Sequence, residues 1–186
     1  MRVVELAGGL AACICGLRGA VNVDAALQLT REAESRFGVT VQFFDASLVA
    51  TWEHVFFSAL NAVKAIEAGR SIARSLGIEV LVRLSGQRQI SVALEMFGLK
   101  SGCKGLGVVA IGRSAGAVEN AARYVVERLG VEEDNSVLEL NHDKAEQIKK
   151  AFNIEDTELE AVQAEEEFEA IVKCCIERCA LLTLES

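Results

Sequence analysis

The chain has 186 residues, 51% of them apolar and 25% charged, which supplies a sizeable core and excludes disorder as its main state. It has no proline, where average usage of about 5% would place roughly nine, so Pro-rich linkers and polyproline recognition segments are excluded. The only two histidines, His54 and His142, disfavour zinc chemistry built on imidazole and leave few general bases.

The formal net charge of −8 is unevenly spread, with balances of −2 over residues 1–59, +5 over 60–130 and −11 over 131–186. The central segment is therefore able to present a phosphate-binding surface inside an acidic chain, while the acidic end reads as solvated helical faces. Leu10-Ala11-Ala12-Cys13 imitates a lipoprotein cleavage box, but Glu5 interrupts the apolar run and Arg2 is its one basic flank. Without the ~18 uncharged apolar residues that a membrane helix needs, the sequence reads as soluble and cytoplasmic, with no membrane partner. Cys13, Cys15, Cys103, Cys174, Cys175 and Cys179 form no C-x-x-C pair. Cys175 and Cys179 share a helical stripe with Phe168, Ile171, Val172 and Leu182, where thiols act as small hydrophobes; a disulfide or soft-metal site is the alternative.

In chain order, Val3 to Ala7 and Ala11 to Leu17 predict a hairpin across Gly8-Gly9. Asp24 is placed to cap a helix that ends at Phe37, with Ala26, Leu29, Ala33 and Phe37 inward and Gly38 as the left-handed stop. A strand follows over Val39 to Phe44, and a long helix starts at Asp45 or Ser47 and runs to about Ala68. Its core face is Trp52, Val55, Phe56, Ala59, Val63 and Ile66, and His54, Ser58 and Asn61 form an uncharged polar stripe opposite. Ser71 predicts a short helix through Leu76, stopped by Gly77. Ile78, Val80, Val82 and Leu84 then alternate as in a strand. Ser85-Gly86 turns into a helix with Ile90, Ala93, Leu94 and Phe97 buried and Gly98 after it.

Leu106 to Ile111 is continuously apolar, the pattern of a strand covered on both faces. Ala117 to Leu129 predicts a helix with Val118, Ala122, Val125 and Leu129 inward, and Glu-rich helices follow over Asn141 to Phe152, Asp156 to Leu159 and Ala164 to Leu182. The expected architecture is α/β (α+β): a small mixed or antiparallel sheet flanked by helices, with a helical carboxyl-terminal layer. The expected organisation is one domain, with an α/β core over 1–130 and an acidic helical extension over 131–186.

Gly112-Arg113-Ser114-Ala115-Gly116 matches G-x-S-x-G between a strand and a helix, and Asp134 and His142 follow in the order a serine hydrolase uses. A serine helix cap between two glycines explains the same five residues with fewer demands. Gly105-x-Gly107 precedes its strand, so it lacks the context of a dinucleotide loop. Ser85-Gly86-Gln87-Arg88-Gln89-Ile90 joins a glycine turn, a helix start and a guanidinium, a combination suited to phosphate. Lys64, Arg70, Arg74, Arg83, Lys100, Lys104 and Arg113 lie in the same basic segment.

Three runs carry a resemblance through their order and spacing: Asp45-Ala46-Ser47-Leu48-Val49-Ala50-Thr51-Trp52-Glu53-His54, then Gly69-Arg70-Ser71-Ile72-Ala73-Arg74-Ser75-Leu76-Gly77-Ile78-Glu79, then Ser85 to Ile90 with Ala93, Phe97 and Gly98. Over about residues 43 to 112 the chain resembles the Cgi-type subunit of the KEOPS complex, the PRPK-binding protein (TPRKB) family. The resemblance implies a non-enzymatic accessory subunit without cofactor, metal or small-molecule substrate. It would bind the Bud-type (PRPK) kinase subunit of KEOPS and help to recruit tRNA, through its 3' CCA end, for threonylcarbamoyl-adenosine modification.

Under that reading the expected RNA-binding residues are Lys64, Arg70, Arg74, Arg83, Ser85, Gly86, Arg88 and Gln89. The guanidinium plane of Arg83 would stack where a relative carries an aromatic. His54, Phe57, Val92 and Met96 are the expected kinase-facing residues; the alternative for the three apolar ones is that they are core.

Overall fold

A computed structural model describes residues 1–103 and 105–182. Its centre is an antiparallel sheet in which β1 (Arg2–Glu5), β2 (Ala11–Arg18), β4 (Leu106–Gly112) and β3 (Thr40–Asp45) lie side by side in that order. A short β5 (Glu132–Glu133) also pairs with the end of β2. The predicted hairpin is present, with a 3-10 turn over Ala7–Gly9 between β1 and β2.

Alternation along the strands divides the core in two. Cys13, Cys15 and Leu17 of β2, Val41 and Phe43 of β3, and Val108 and Ala110 of β4 face α1 (Val23–Phe37) and α5 (Ala115–Leu129). Ala12, Ile14, Phe44, Val109 and Ile111 face the opposite side, where α2 (Trp52–Glu67) and α3 (Leu76–Ser85) pack. Every residue of β4 is buried, as its uninterrupted apolar run requires. Gly107 is fixed by contact: a Cβ there would lie 2.1 Å from the Phe44 ring. The chain then adds α4 (Ile90–Phe97) beside α3, and α6 (His142–Phe152), α7 (Asp156–Ala161) and α8 (Glu167–Leu181) as the carboxyl-terminal helices. Of these, α8 packs on α2 and α3.

Helix boundaries follow local capping. The Asn22 side chain, not Asp24, accepts from the Ala25 amide at the start of α1, and Gly38 closes it at φ 64°. Thr51 caps α2, later than the expected Asp45 or Ser47. Asn141 caps α6 where the sequence placed its start.

Three expectations about residues 69–85 are corrected. The predicted strand over Ile78 to Leu84 is the helix α3, capped by Ser75, and Gly77 lies inside it instead of stopping it. Glu79 to Ser85 are all buried, so no polar stripe marks the helical period and the alternation of Ile78, Val80, Val82 and Leu84 is incidental. Gly77 serves close approach to the sheet, since a Cβ would fall 2.6 Å from the Gln42 amide oxygen. The short helix after Ser71 is absent, because residues 69–75 form a loop whose amides are used elsewhere.

On α2, His54 and Ser58 of the polar stripe are buried and Asn61 is half-buried, contrary to the amphipathic reading, because α3 and α8 cover that side. The Ser58 hydroxyl donates to the His54 carbonyl, the Asn61 amide donates to the Phe57 carbonyl, and Ile66, expected inward, is 39% exposed. On α4, Ala93 and Phe97 are buried, but Ile90 and Leu94 stand 37% and 40% exposed, since α4 packs chiefly on α3.

His54 sits wholly inside, edge-on to Phe97 and Phe152 at centroid distances of 6.3 and 5.8 Å. Its Nδ1 accepts from the Ala50 amide at 3.4 Å. Its Nε2 lacks a well-formed hydrogen bond among the described residues, although the Leu84 carbonyl lies near enough to favour the charged ring slightly. Burial dominates and lowers the imidazole pKa from 6.5 to about 3, helped by repulsion from Lys144. The unfolded chain therefore takes up a proton that the folded core excludes. The stabilising difference is fully present above pH 6.5 and is lost as pH falls from there toward 3. The acid limb of a stability–pH curve from denaturant melts is expected to be shallower for His54→Phe than for the native chain across that window.

Candidate nucleic-acid interface

The centre of the site is a carboxylate inside the protein. Glu79 and Arg83, one helical turn apart on α3, are both wholly buried, with Arg83 Nε 2.8 Å and Nη2 2.7 Å from Glu79 Oε1. The other carboxylate oxygen accepts the backbone amides of Ile72 at 2.9 Å and Ala73 at 2.7 Å. One buried charge is thus neutralised by a guanidinium while its remaining lone pairs fix the loop between α2 and α3. The Ile72 side chain completes the attachment by packing with Val82, Ala93 and Leu182. The exposed Arg70 and Arg74 flank this anchored segment, and Lys64 is exposed on the last turn of α2.

The second candidate segment lies at the other end of α3. Ser85 is buried: its hydroxyl donates to the Val82 carbonyl and accepts the Gln87 amide. Gly86 takes the left-handed conformation at φ 62°, close against the Arg178 side chain of α8, where a Cβ would come within 3.1 Å of the Arg178 Cβ. Gln87, Arg88 and Gln89 are exposed, and α4 begins without a side-chain cap at Gln89. The ten residues of α3 span about 15 Å between its two ends.

Of the sequence-expected RNA contacts, Lys64, Arg70, Arg74, Arg88 and Gln89 are exposed, Gly86 shapes its turn, and Ser85 and Arg83 are interior. Arg83 offers no surface for stacking on a base, because its guanidinium is committed to Glu79. Lys104 lies outside the described residues.

Among the kinase-facing candidates, Phe57, Val92 and Met96 are half-buried, and Met96 packs against the core below α4. His54 is interior. An apolar groove of about 280 Å³ runs along β3 between α1 and α4, lined by Leu27, Phe43, Ile78, Leu81, Leu94 and Leu99 among others. The adjoining strand edge is occupied by its own side chains. Glu34 takes the Val41 amide at 3.0 Å, and the Gln42 amide donates to the Phe43 carbonyl at 2.7 Å, which obstructs strand addition there.

The serine motif resolves into a cap. The Ser114 hydroxyl accepts the Ala117 amide at the start of α5, Asp134 bonds Arg18 and Ser136, and the His142 ring lies edge-on to Phe168. Each member of the supposed triad is thus engaged with different partners. All six thiols are free; five are buried, and burial raises Cys13 and Cys175 to about 12 and Cys174 to about 11, so they behave as core atoms. Among the described residues no three His, Cys, Asp or Glu side chains gather as a metal-ligand group, and no helix is long and apolar enough to cross a membrane.

Sequence reasoning missed Glu79 because the segment was read as a strand. The available signal was the i,i+4 pairing of Glu79 with Arg83, which only a helix brings together.

The structure is thus an α/β scaffold in which a buried ion pair anchors an exposed basic loop. The family model for kinase binding protein CGI-121 matches residues 21–183, and the chain belongs to that family. The chain is 34% identical over 148 residues to the regulatory protein Cgi121 of Methanocaldococcus jannaschii, a match that covers 80% of this chain and 86% of the relative. It is also 38% identical over 50 residues to the KEOPS complex subunit Cgi121 of Pyrococcus abyssi, covering 27% of this chain and 29% of that one.

The buried carboxylate sets a direct expectation. Glu79→Gln leaves the Arg83 charge inside without its counterion, a change that typically costs about 3–5 kcal/mol. The same substitution weakens the hold on the 69–75 loop. Limited trypsin digestion, read by mass spectrometry, is expected to cut after Arg70 and Arg74 faster in the variant than in the native chain under conditions where both remain folded.

Proposed function

We propose that the protein is a non-catalytic KEOPS subunit that binds the complex's Bud-type (PRPK) kinase and helps to bring tRNA to it by holding the single-stranded 3' CCA end. The observation that carries this reading is the pairing of an exposed cationic loop, Arg70 and Arg74, with a buried anchor, Glu79 and Arg83, in a chain of the kinase-binding family. A loop ordered in advance loses less conformational freedom on binding phosphate than a mobile one. Lys64 and Arg88 are further exposed cations, and Gln89 adds a neutral donor at the start of α4, which has no side-chain cap among the described residues. The half-buried apolar side chains between them suit base faces, which are recognised by stacking and contact more than by charge.

The protein itself makes or breaks no bond in this scheme. It raises the local concentration of tRNA beside the catalytic subunits, an avidity effect that needs no active-site residue.

The test is a gel-shift titration of the protein with intact tRNA and with tRNA trimmed of its 3' CCA. Trimming is expected to abolish most of the binding. Arg70→Glu with Arg74→Glu is expected to lower affinity by tenfold or more and to flatten the log K against log salt slope by about 1.4, given roughly 0.7 per single-strand phosphate contact. Equal binding of both tRNAs by native and variant protein would rule out this surface.

For the kinase we assign α4, where Ile90 and Leu94 project beside half-buried Val92 and Met96. Side-chain docking on this helix fits the obstructed edge of β3 better than strand addition does. Leu94→Glu is expected to weaken capture of the KEOPS kinase by at least tenfold while tRNA binding persists, measured by calorimetry and gel shift on the same preparation.

A further inference from the structure

The two main apolar clusters lie on either side of the sheet, and a third, much smaller one belongs to neither. It consists of Val82 of α3, Ala93 of α4 and Leu182, the residue that closes the end of α8, and Ile72 of the 69–75 loop packs against it. Leu182 is the largest of the three and is 4% exposed. One turn earlier on the same face, Cys179 lies against α2, where the Asn61 amide donates to its Sγ at 3.5 Å. The last turn of α8 therefore bridges α2, α3 and α4, and the loop that joins α2 to α3 rests on this bridge through Ile72.

The cluster supplies a restraint that the buried carboxylate does not. Glu79 Oε2 holds the loop by the Ile72 and Ala73 amides, two neighbouring donors on a single oxygen atom, and a chain held at one point is free to pivot about it. Seating the Ile72 side chain among apolar groups adds the second point. Arg70 lies two residues before this double anchor and Arg74 directly after Ala73, so the direction in which both cations leave the chain depends on it.

We propose that Leu182 is a positioning residue for the cationic loop, so that the end of α8, which carries none of the RNA contacts, sets the strength with which the loop holds single-stranded RNA. The proposal rests on the reading of Arg70 and Arg74 as phosphate contacts. Leu182 acts through Ile72: it fills the small cluster, Ile72 stays seated, and the two guanidiniums are presented in one arrangement, which lowers the entropy lost on binding. Truncating Leu182 to alanine empties a cluster whose other buried members, a valine and an alanine, are too short to close the space. Because this cluster is separate from the two main ones, the loss falls on the loop before it falls on the fold.

Three single variants test this against the native chain, at a temperature where circular dichroism shows all four folded, with tRNA carrying its 3' CCA as the probe. Leu182→Ala is expected to bind it roughly three- to tenfold more weakly, as the reordering of one or two side chains requires. Its log K against log salt slope is expected to stay that of the native chain, since no phosphate contact is lost. Without RNA, hydrogen exchange of the 69–75 segment is expected to be faster in the same variant. Leu182→Met, which keeps the volume, is expected to match the native chain in both readouts. Leu29→Ala makes the same truncation at a buried position of α1, on the other side of the sheet; it is expected to lower the thermal midpoint and to leave tRNA affinity and loop exchange unchanged. Native affinity in Leu182→Ala, unchanged exchange of its loop, or an equal loss of affinity in Leu29→Ala would overturn the proposal. Failure of the native chain itself to bind the tRNA would remove the reading of the loop as an RNA surface, and this role with it.

Discussion

The Glu79 carboxylate is the constraint around which one half of this molecule is arranged. An isolated charge at that depth would be prohibitively costly, and an ion pair alone often fails to recover its desolvation. Here the carboxylate also receives two backbone amides, which are themselves donors that must be satisfied once the loop is pressed against α3. Charge, loop and helix therefore solve one another's problem. The loop cannot leave without stripping Oε2 of the buried Glu79 carboxylate of its two amide donors, although Arg83 still holds Oε1. Arg83 is held at its other boundary by α2 and α8, close enough to Cys179 to favour its thiolate slightly against the larger effect of burial.

The two sides of the sheet are built differently. The side covered by α1 and α5 is filled by alanine, valine, leucine, phenylalanine and the thiols of Cys13 and Cys15. The buried polar residues His54, Ser58, Glu79, Arg83, Ser85 and Lys144 all belong to α2, α3 and α6, on the opposite side. Apolar packing tolerates many solutions, whereas a satisfied polar network admits few, so the second side is the one with a specified geometry. The exposed cations Arg70, Arg74 and Arg88 project from the loops that this network holds. An exposed cation on a loop held in this way sits on a fixed base.

The serine motif shows how local physics imitates chemistry. A strand, a glycine, a serine and a helix are what a nucleophile turn requires, and they are also what an ordinary capped helix requires. The difference lies in what surrounds the hydroxyl, and around Ser114 the partner is the α5 backbone. The short run from Ser85 to Ile90 is the opposite case. Its serine is also spent on backbone, while Gln87, Arg88 and Gln89 after it are exposed.

What the amino-acid order determined by itself were the features with one physical reading. The apolar run from Leu106 to Ile111 had to be a strand covered on both faces, Gly38 had to end a helix, and the spacing of three short runs pointed to the family. Those signals are local, or depend only on order along the chain. Tertiary structure decided what depends on a covering neighbour. The stripe of His54 and Ser58 looked solvent-facing until α3 and α8 closed over it, and Leu94 looked buried although nothing described covers it. The segment from Ile78 to Leu84 had two periodicities because burial on every side erases the polar face that distinguishes them. Arg83 illustrates the limit most directly: sequence marks a cation as a surface group by default, and only a carboxylate one turn away, desolvated with it, turns that cation into part of the core.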